Sequence, residues 1–235
     1  MATKKDRAAE RAERAAAVLR EQKRRERRRN LITGGVVAAV LAALVVVGIL
    51  ISKANEVEAP TAGSSDYGVT IGDPDAPHQI VIYEDFLCPA CGALEKETNK
   101  ALAELANAGS VHVEYRPFEL LSQLGDYSLR SASAFGVVLE QSGPEVAKEF
   151  HDLLYADQPA EDADPLPDAD WLIEKAVEAG ADESAVRPGI EEGANDFGRE
   201  ATQEAQKAGV HSTPTIILDG EPYSGNFDEL VSEVE

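Results

Sequence analysis

The feature that most limits what this chain can become is a stretch without a single charged residue. Residues 31–52 read LITGGVVAAVLAALVVVGILIS, 22 positions in all. As a helix rising about 1.5 Å per residue, such a stretch spans roughly 33 Å, enough to cross a hydrocarbon core of about 30 Å. In water a helix apolar on every side must sit at the centre of a large core, whereas this one is flanked by charge. Gly34, Gly35 and Gly48 are tolerated in membrane helices more readily than in soluble ones.

Charge divides the rest. Residues 1–30 carry 12 Lys and Arg against 5 Asp and Glu, while residues 53–235 carry 10 against 38. The positive-inside rule then places the N-terminus in the cytoplasm and residues 53–235 outside. A cleaved signal peptide competes, but its apolar core is normally about 7–15 residues. The expectation is therefore a single-pass protein of the plasma membrane in four parts. These are a basic cytoplasmic arm (1–30), a transmembrane helix (31–52), a Pro, Gly and Ser-containing linker (53–65) and an extracytoplasmic domain (66–235). The acidic body offers no basic stripe for phosphates, which argues against nucleic acid.

Within the outer domain, Gln79–Tyr83 (QIVIY) is a continuously apolar, β-branched run, as expected of a strand buried on both faces. From Cys91 to Ala108 apolar residues recur at helical spacing, with Leu94, Thr98, Ala101, Leu102 and Leu105 on one side and Gly109 ending the run. Val111–Phe118 returns to period two. Strand, helix, strand make a βαβ unit. Near the C-terminus Thr215–Leu218 reads as a strand, Asp219-Gly220 as a hairpin turn, Glu221–Ser224 as the return strand, and Asn226 as the cap of a last helix. Between these frames, about 119–209, helical runs are expected near 126–141, 144–156, 170–179 and 193–208. They are broken at Gly143-Pro144, at 162–170 and at Pro188-Gly189.

The chain has two cysteines, Cys88 and Cys91, in the order Cys88-Pro89-Ala90-Cys91 at the junction of strand and helix. A structural disulfide gains stability from closing a long loop, and this ring is too short to gain much. The junction does place one sulfur at the free N-terminus of a helix, where unpaired N–H groups and the helix dipole favour a thiolate. Cys88 is then the attacking thiol and Cys91 the resolving one, which releases the mixed disulfide formed with a substrate. A zinc half-site would need two more ligands; the four histidines, His78, His112, His151 and His211, are scattered singly. No metal or cofactor is expected. His211-Ser212-Thr213-Pro214-Thr215 just precedes the apolar C-terminal strand. A cis proline there offers no N–H and leaves the preceding backbone free to pair with substrate.

Together, IYEDFLCPACGALEKE and GVHSTPTIILDGEPYSG resemble the DsbA-like branch of the thioredoxin superfamily, in particular its membrane-anchored bacterial members with a helical insertion. The resemblance covers about residues 66–235. It implies an α/β, thioredoxin-like fold interrupted by helices. It also implies a thiol–disulfide oxidoreductase that donates disulfides to exported cysteine-containing proteins and is reoxidised by a membrane partner of the DsbB or vitamin K epoxide reductase-like type. By the same resemblance Cys88 and Cys91 are the catalytic pair, and Pro214 is the cis proline. Thr213 shapes substrate contact and thiol acidity, and Pro89-Ala90 is the tuning dipeptide. Glu95 matches an acid near the active site, though a solvated helix glutamate fits the sequence as well. The sequence departs from the pattern in lacking a histidine between the cysteines. It also carries Ile82 where an acid often stands six residues before the first cysteine. Glu84 and Asp85 come nearer, and Asp85 either helps proton transfer with Cys91 or caps the next helix. A reductase or isomerase of the same fold, and a tethered binding module whose cysteines are incidental, are the competing functions. Replacing Cys88 would spare only the last.

Overall fold

A buried two-faced strand needs a neighbour on each edge and a helix on each side, and the chain supplies all four. The computed structural model describes residues 60–235; the basic arm and the apolar stretch 31–52 lie outside the described residues. Strands β1 (Val69–Gly72), β2 (His78–Glu84), β3 (Val111–Pro117), β4 (Thr215–Leu218) and β5 (Glu221–Pro222) form one sheet in the order β1-β3-β2-β4-β5. Helix α1 (Pro89–Asn107) crosses between β2 and β3, which are parallel; every other pairing is antiparallel.

Ile80 and Ile82 face a core shared with Leu94 and Leu102 of α1, while Val81 and Tyr83 face a second core on the other side of the sheet. The helix ends as its sequence requires. Gly109 takes φ +79, a left-handed conformation that costs glycine least. Its N–H reaches Ala106 O at 3.1 Å, and Ser110 N–H reaches Leu105 O at 2.9 Å.

The insertion consists of a short 3₁₀ turn at Ser122–Leu124 and helices α2 (Tyr127–Ser142), α3 (Pro144–Ala156), α4 (Ala169–Glu178), α5 (Glu183–Glu191) and α6 (Asp196–Lys207). Helix α6 returns the chain to the frame: Ala201 and Ala205 pack in the core that holds Val81, Tyr83 and Ile217. Helix α7 (Phe227–Glu233) closes the chain, with Asn226 at its N-terminus.

Three segments differ from the sequence reading. Pro188-Gly189 does not break the chain but lies inside α5. Proline removes one helical N–H bond, yet buried Val186 and Ile190 hold the helix to the core and the Asp182 side chain accepts Ser184 N–H at its start. Strand β1 carries no sequence signal because four residues, with Val69 buried against β3, are too few to show a period. The tail of the stretch read as linker is fastened to the domain: Ala62 is buried, Gly63 N–H donates to Glu114 Oε2 at 2.8 Å, and Arg116 donates to Ser64 Oγ at 2.9 Å. Among the described residues no helix is long and apolar enough to cross a membrane.

Candidate active site

Where β2 ends, the chain turns over Asp85-Phe86-Leu87 and enters α1 with Cys88 as the N-cap and Pro89 in the first turn. Proline suits that position because the missing N–H would have had no helical partner. Cys88 N–H donates to Asp85 O at 2.9 Å, and Cys88 O accepts from Cys91 N–H at 3.1 Å and Gly92 N–H at 3.2 Å. Both thiols are free. Cys88 keeps 7 % of its surface exposed and Cys91 none, which separates a sulfur that can be attacked from one that can act only internally.

The opposite wall comes from the start of β4. Antiparallel register pairs Thr215 with Tyr83, so the residues just before Thr215 stand over the end of β2. The Thr213–Pro214 peptide is cis, and the Cys88 thiol donates to Thr213 O at 3.5 Å. Pro89 and Ala90 themselves are exposed.

These surroundings drive the two thiols apart. Cys88 is lowered to about 6, chiefly because Cys91 S–H donates to its thiolate. Burial opposes the shift, while Thr213 and the main chain of Cys91 and Ala90 add to it. The Thr213 hydroxyl is buried without a hydrogen-bond partner among the described residues. Cys91 is pushed far above the usual thiol range by burial, then by holding its proton for Cys88 and by the negative charge of Glu84. No histidine between the cysteines is needed for this separation.

Asp85 is buried and fully engaged: its carboxylate accepts from Leu87 N–H (2.9 Å), Leu120 N–H (2.8 Å) and Leu121 N–H (2.9 Å). Its carboxylate ties the redox loop to the chain leaving β3, and the N-cap of α1 is Cys88. Glu95 is not a solvated helix residue. It is 3 % exposed and both carboxylate oxygens lack partners. Burial, reinforced by Glu84, raises it to about 8, which keeps it a neutral acid at pH 7.

The acid that does act on Cys91 is Glu84, and its partner was missed. His151 on α3, wholly buried, bonds Glu84 Oε1 through Nε2 at 2.6 Å and Asp152 Oδ1 through Nδ1 at 2.9 Å. Burial alone would lower His151, but Glu84 and Asp152 outweigh it and hold it at about 9, as an imidazolium. Glu84, Glu95 and His151 bring three potential ligand atoms within 4.8 Å of one another. The direct Glu84–His151 bond makes this an ion-pair network with the imidazole's nitrogens already in use. Single histidines scattered through a sequence carry no signal of such a meeting. Beside the network runs a groove of about 630 Å³ between α1 and α3, lined by Pro89, Gly92, Lys96, Asp152, Tyr155 and Gln158.

A sheet with this order, a helix springing from a cysteine pair and a cis proline across from it define a thioredoxin-type redox domain. A thioredoxin family model matches residues 64–234. The oxidized DsbA of Mycobacterium tuberculosis is 30% identical, with 71% of this chain and 90% of that one covered and a TM-score of 0.61. The reduced disulfide bond oxidoreductase DsbG of the same organism is 29% identical over 77% of this chain and 85% of that one, with a TM-score of 0.59. A probable disulfide bond formation protein D of Bacillus anthracis is 22% identical, covering 81% of this chain and 89% of that one. The chain belongs to the thioredoxin family, in its DsbA-like branch. It is a thiol–disulfide oxidoreductase.

Proposed function

We propose that this enzyme is a membrane-anchored disulfide donor for exported cysteine-containing proteins, with Cys88 as the attacked and attacking sulfur and Cys91 as the resolving one. The observation that carries the direction of flow is the seat of Cys88 at the N-cap of α1, where the Cys91 thiol, Thr213 and the main chain of Ala90 and Cys91 face its sulfur and lower it to about 6. A thiolate stabilised in the reduced enzyme makes the oxidised enzyme the higher-energy form, and a low-pKa thiol leaves readily when a substrate attacks. Donation then runs in balanced steps. A substrate thiolate attacks Cys88 of the Cys88–Cys91 disulfide, displacing Cys91 as thiolate, which takes up a proton. A second substrate thiolate attacks the substrate's sulfur in the mixed disulfide and releases Cys88 as thiolate. The substrate leaves oxidised and the enzyme keeps two electrons.

Those electrons must be returned, and a membrane partner of the DsbB or vitamin K epoxide reductase-like type fits an enzyme held at the bilayer. Thr213 and Pro214 present backbone to an extended client, and Pro89 and Ala90 tune the pair. Residues 31–52 serve as the single transmembrane helix, the basic arm 1–30 lies in the cytoplasm, and the domain faces outward. The absence of charge from 31–52 and the charge contrast across that stretch support this arrangement. The test is the redox equilibrium of the full chain against glutathione, followed by alkylation of Cys88. A potential of about −120 to −180 mV is expected for a donor; one near −270 mV would mark a reductase.

A further inference from the structure

One side chain of the insertion reaches the redox loop itself. Gln158, two residues beyond α3, donates through Nε2 to Phe86 O at 3.0 Å and to Cys88 O at 2.9 Å. Both of its N–H groups are thus spent on carbonyls that flank the entry to α1. Room for it is made by Gly92: a Cβ there would fall 2.1 Å from Gln158 Oε1, well inside any real contact.

The Cys88 carbonyl therefore has three donors, Gln158 Nε2–H and the N–H groups of Cys91 and Gly92, and the side chain is the closest of them. A carbonyl oxygen offers two lone pairs, so the three donors compete. The Cys91 N–H has a second use, since it also faces the Cys88 sulfur. Resting on the assignment of Cys88 as the reacting sulfur, we propose that Gln158 is a positioning residue of the redox centre: by sharing Cys88 O with the Cys91 N–H it loosens that carbonyl's hold on the N–H, which is shared in turn with the Cys88 sulfur. The insertion thereby tunes the frame's chemistry by a route that no charge carries. The groups facing that sulfur are the Cys91 thiol, the main chain of Ala90 and Cys91 on α1, and Thr213 across the site. Gln158 touches none of the reacting atoms and acts through the carbonyl alone.

The experiment titrates the Cys88 thiolate of the full chain by ultraviolet absorbance and by alkylation rate, for wild type, Gln158→Leu, Gln158→Glu and Gly92→Ala, with thermal melting as the check on folding. Gln158→Leu removes the donors at similar length, and the Cys88 pKa should rise by about half a unit to one unit. The glutathione equilibrium should move toward the disulfide form by about three- to tenfold. Gln158→Glu, which turns a carboxylate on the two carbonyls, should raise it further. Gly92→Ala should raise it with Gln158 intact, and should add nothing in the Gln158→Leu background, because both act on one contact. An unchanged titration in Gln158→Leu overturns the proposal, as does a Gly92→Ala shift that persists without Gln158. Should Gln158→Leu fail to fold, Gln158→Glu and Gly92→Ala decide the matter. A wild-type Cys88 that titrates as an ordinary thiol would instead undo the assignment of Cys88, which separates the two failures.

Discussion

The frame and the insertion divide the work unequally. The frame holds every group that touches a reacting sulfur: Cys88, Cys91 and Thr213 all stand at ends of its strands and its first helix. The insertion holds none of them, yet it supplies the positive charge paired with Glu84, His151, and the amide that grips the loop, Gln158. Chemistry resides in one region and its electrostatic and geometric setting in the other. A helical insertion of this kind is therefore part of the active site's foundation as well as a wall beside it.

The sharpest way to break that comparison is to remove the reacting sulfur. Cys88→Ser should reduce disulfide transfer to a reporter dithiol to background, a loss on the order of 10³-fold or more, while melting stays near wild type. Retained transfer would mean that Cys88 is not the reacting sulfur.

Next comes the buried ion pair. His151→Leu leaves Glu84 charged and alone in the core, and should cost about 3–5 kcal/mol in denaturant unfolding. The double replacement Glu84→Leu with His151→Leu should recover much of that loss, since two apolar residues need no partner. Full additivity of the two single changes would show that the frame does not depend on the insertion for charge.

The smallest effect is in the pH profile, and its sign is opposite to ordinary acid denaturation. His151 is raised in the fold to about 9 and Glu95 to about 8, both above their ordinary values of 6.5 and 4.5. Each contributes stability that is fully present below the ordinary value and is lost as pH climbs through the raised one. Cys88, lowered to about 6, works the other way above about pH 6, so the decline between about pH 5 and 9 should be read in the Cys88→Ser variant, which lacks that thiolate. Glu95→Gln, neutral at every pH, should remove the lower part of the decline and leave the part belonging to His151. A denaturation midpoint flat across this range would mean that the cluster is hydrated and not held dry.

How much of this was legible follows the same division. The frame could be read because its signals are local: an apolar run, a cysteine pair, an Asp-Gly turn and a proline before a strand each lie within a few residues. The helix start accounts for the smaller part of the acidity of Cys88, the Cys91 and Ala90 main chain; the Cys91 S–H and the burial of Cys91 come from packing. The insertion's helices were legible as periods, apart from α5, whose proline looked like a stop. What its polar residues meet was not legible, because Glu84 and His151 stand 67 positions apart and nothing in either segment names the other. Asp85 shows the converse: its position beside the motif suggested proton transfer or a helix cap, and the three main-chain donors on its carboxylate, two of them beyond β3, could not be read from either.

That Cys88 and Cys91 both belong to the redox centre has a consequence for the cell's supply of this enzyme. The sequence contains no other cysteine, so a newly made copy needs no earlier copy to mature it. An oxidant whose own folding waited on a disulfide would have to be inherited along with the machinery that makes disulfides. This one has no cysteine to spare for a structural disulfide, and every electron its thiols handle comes from a client.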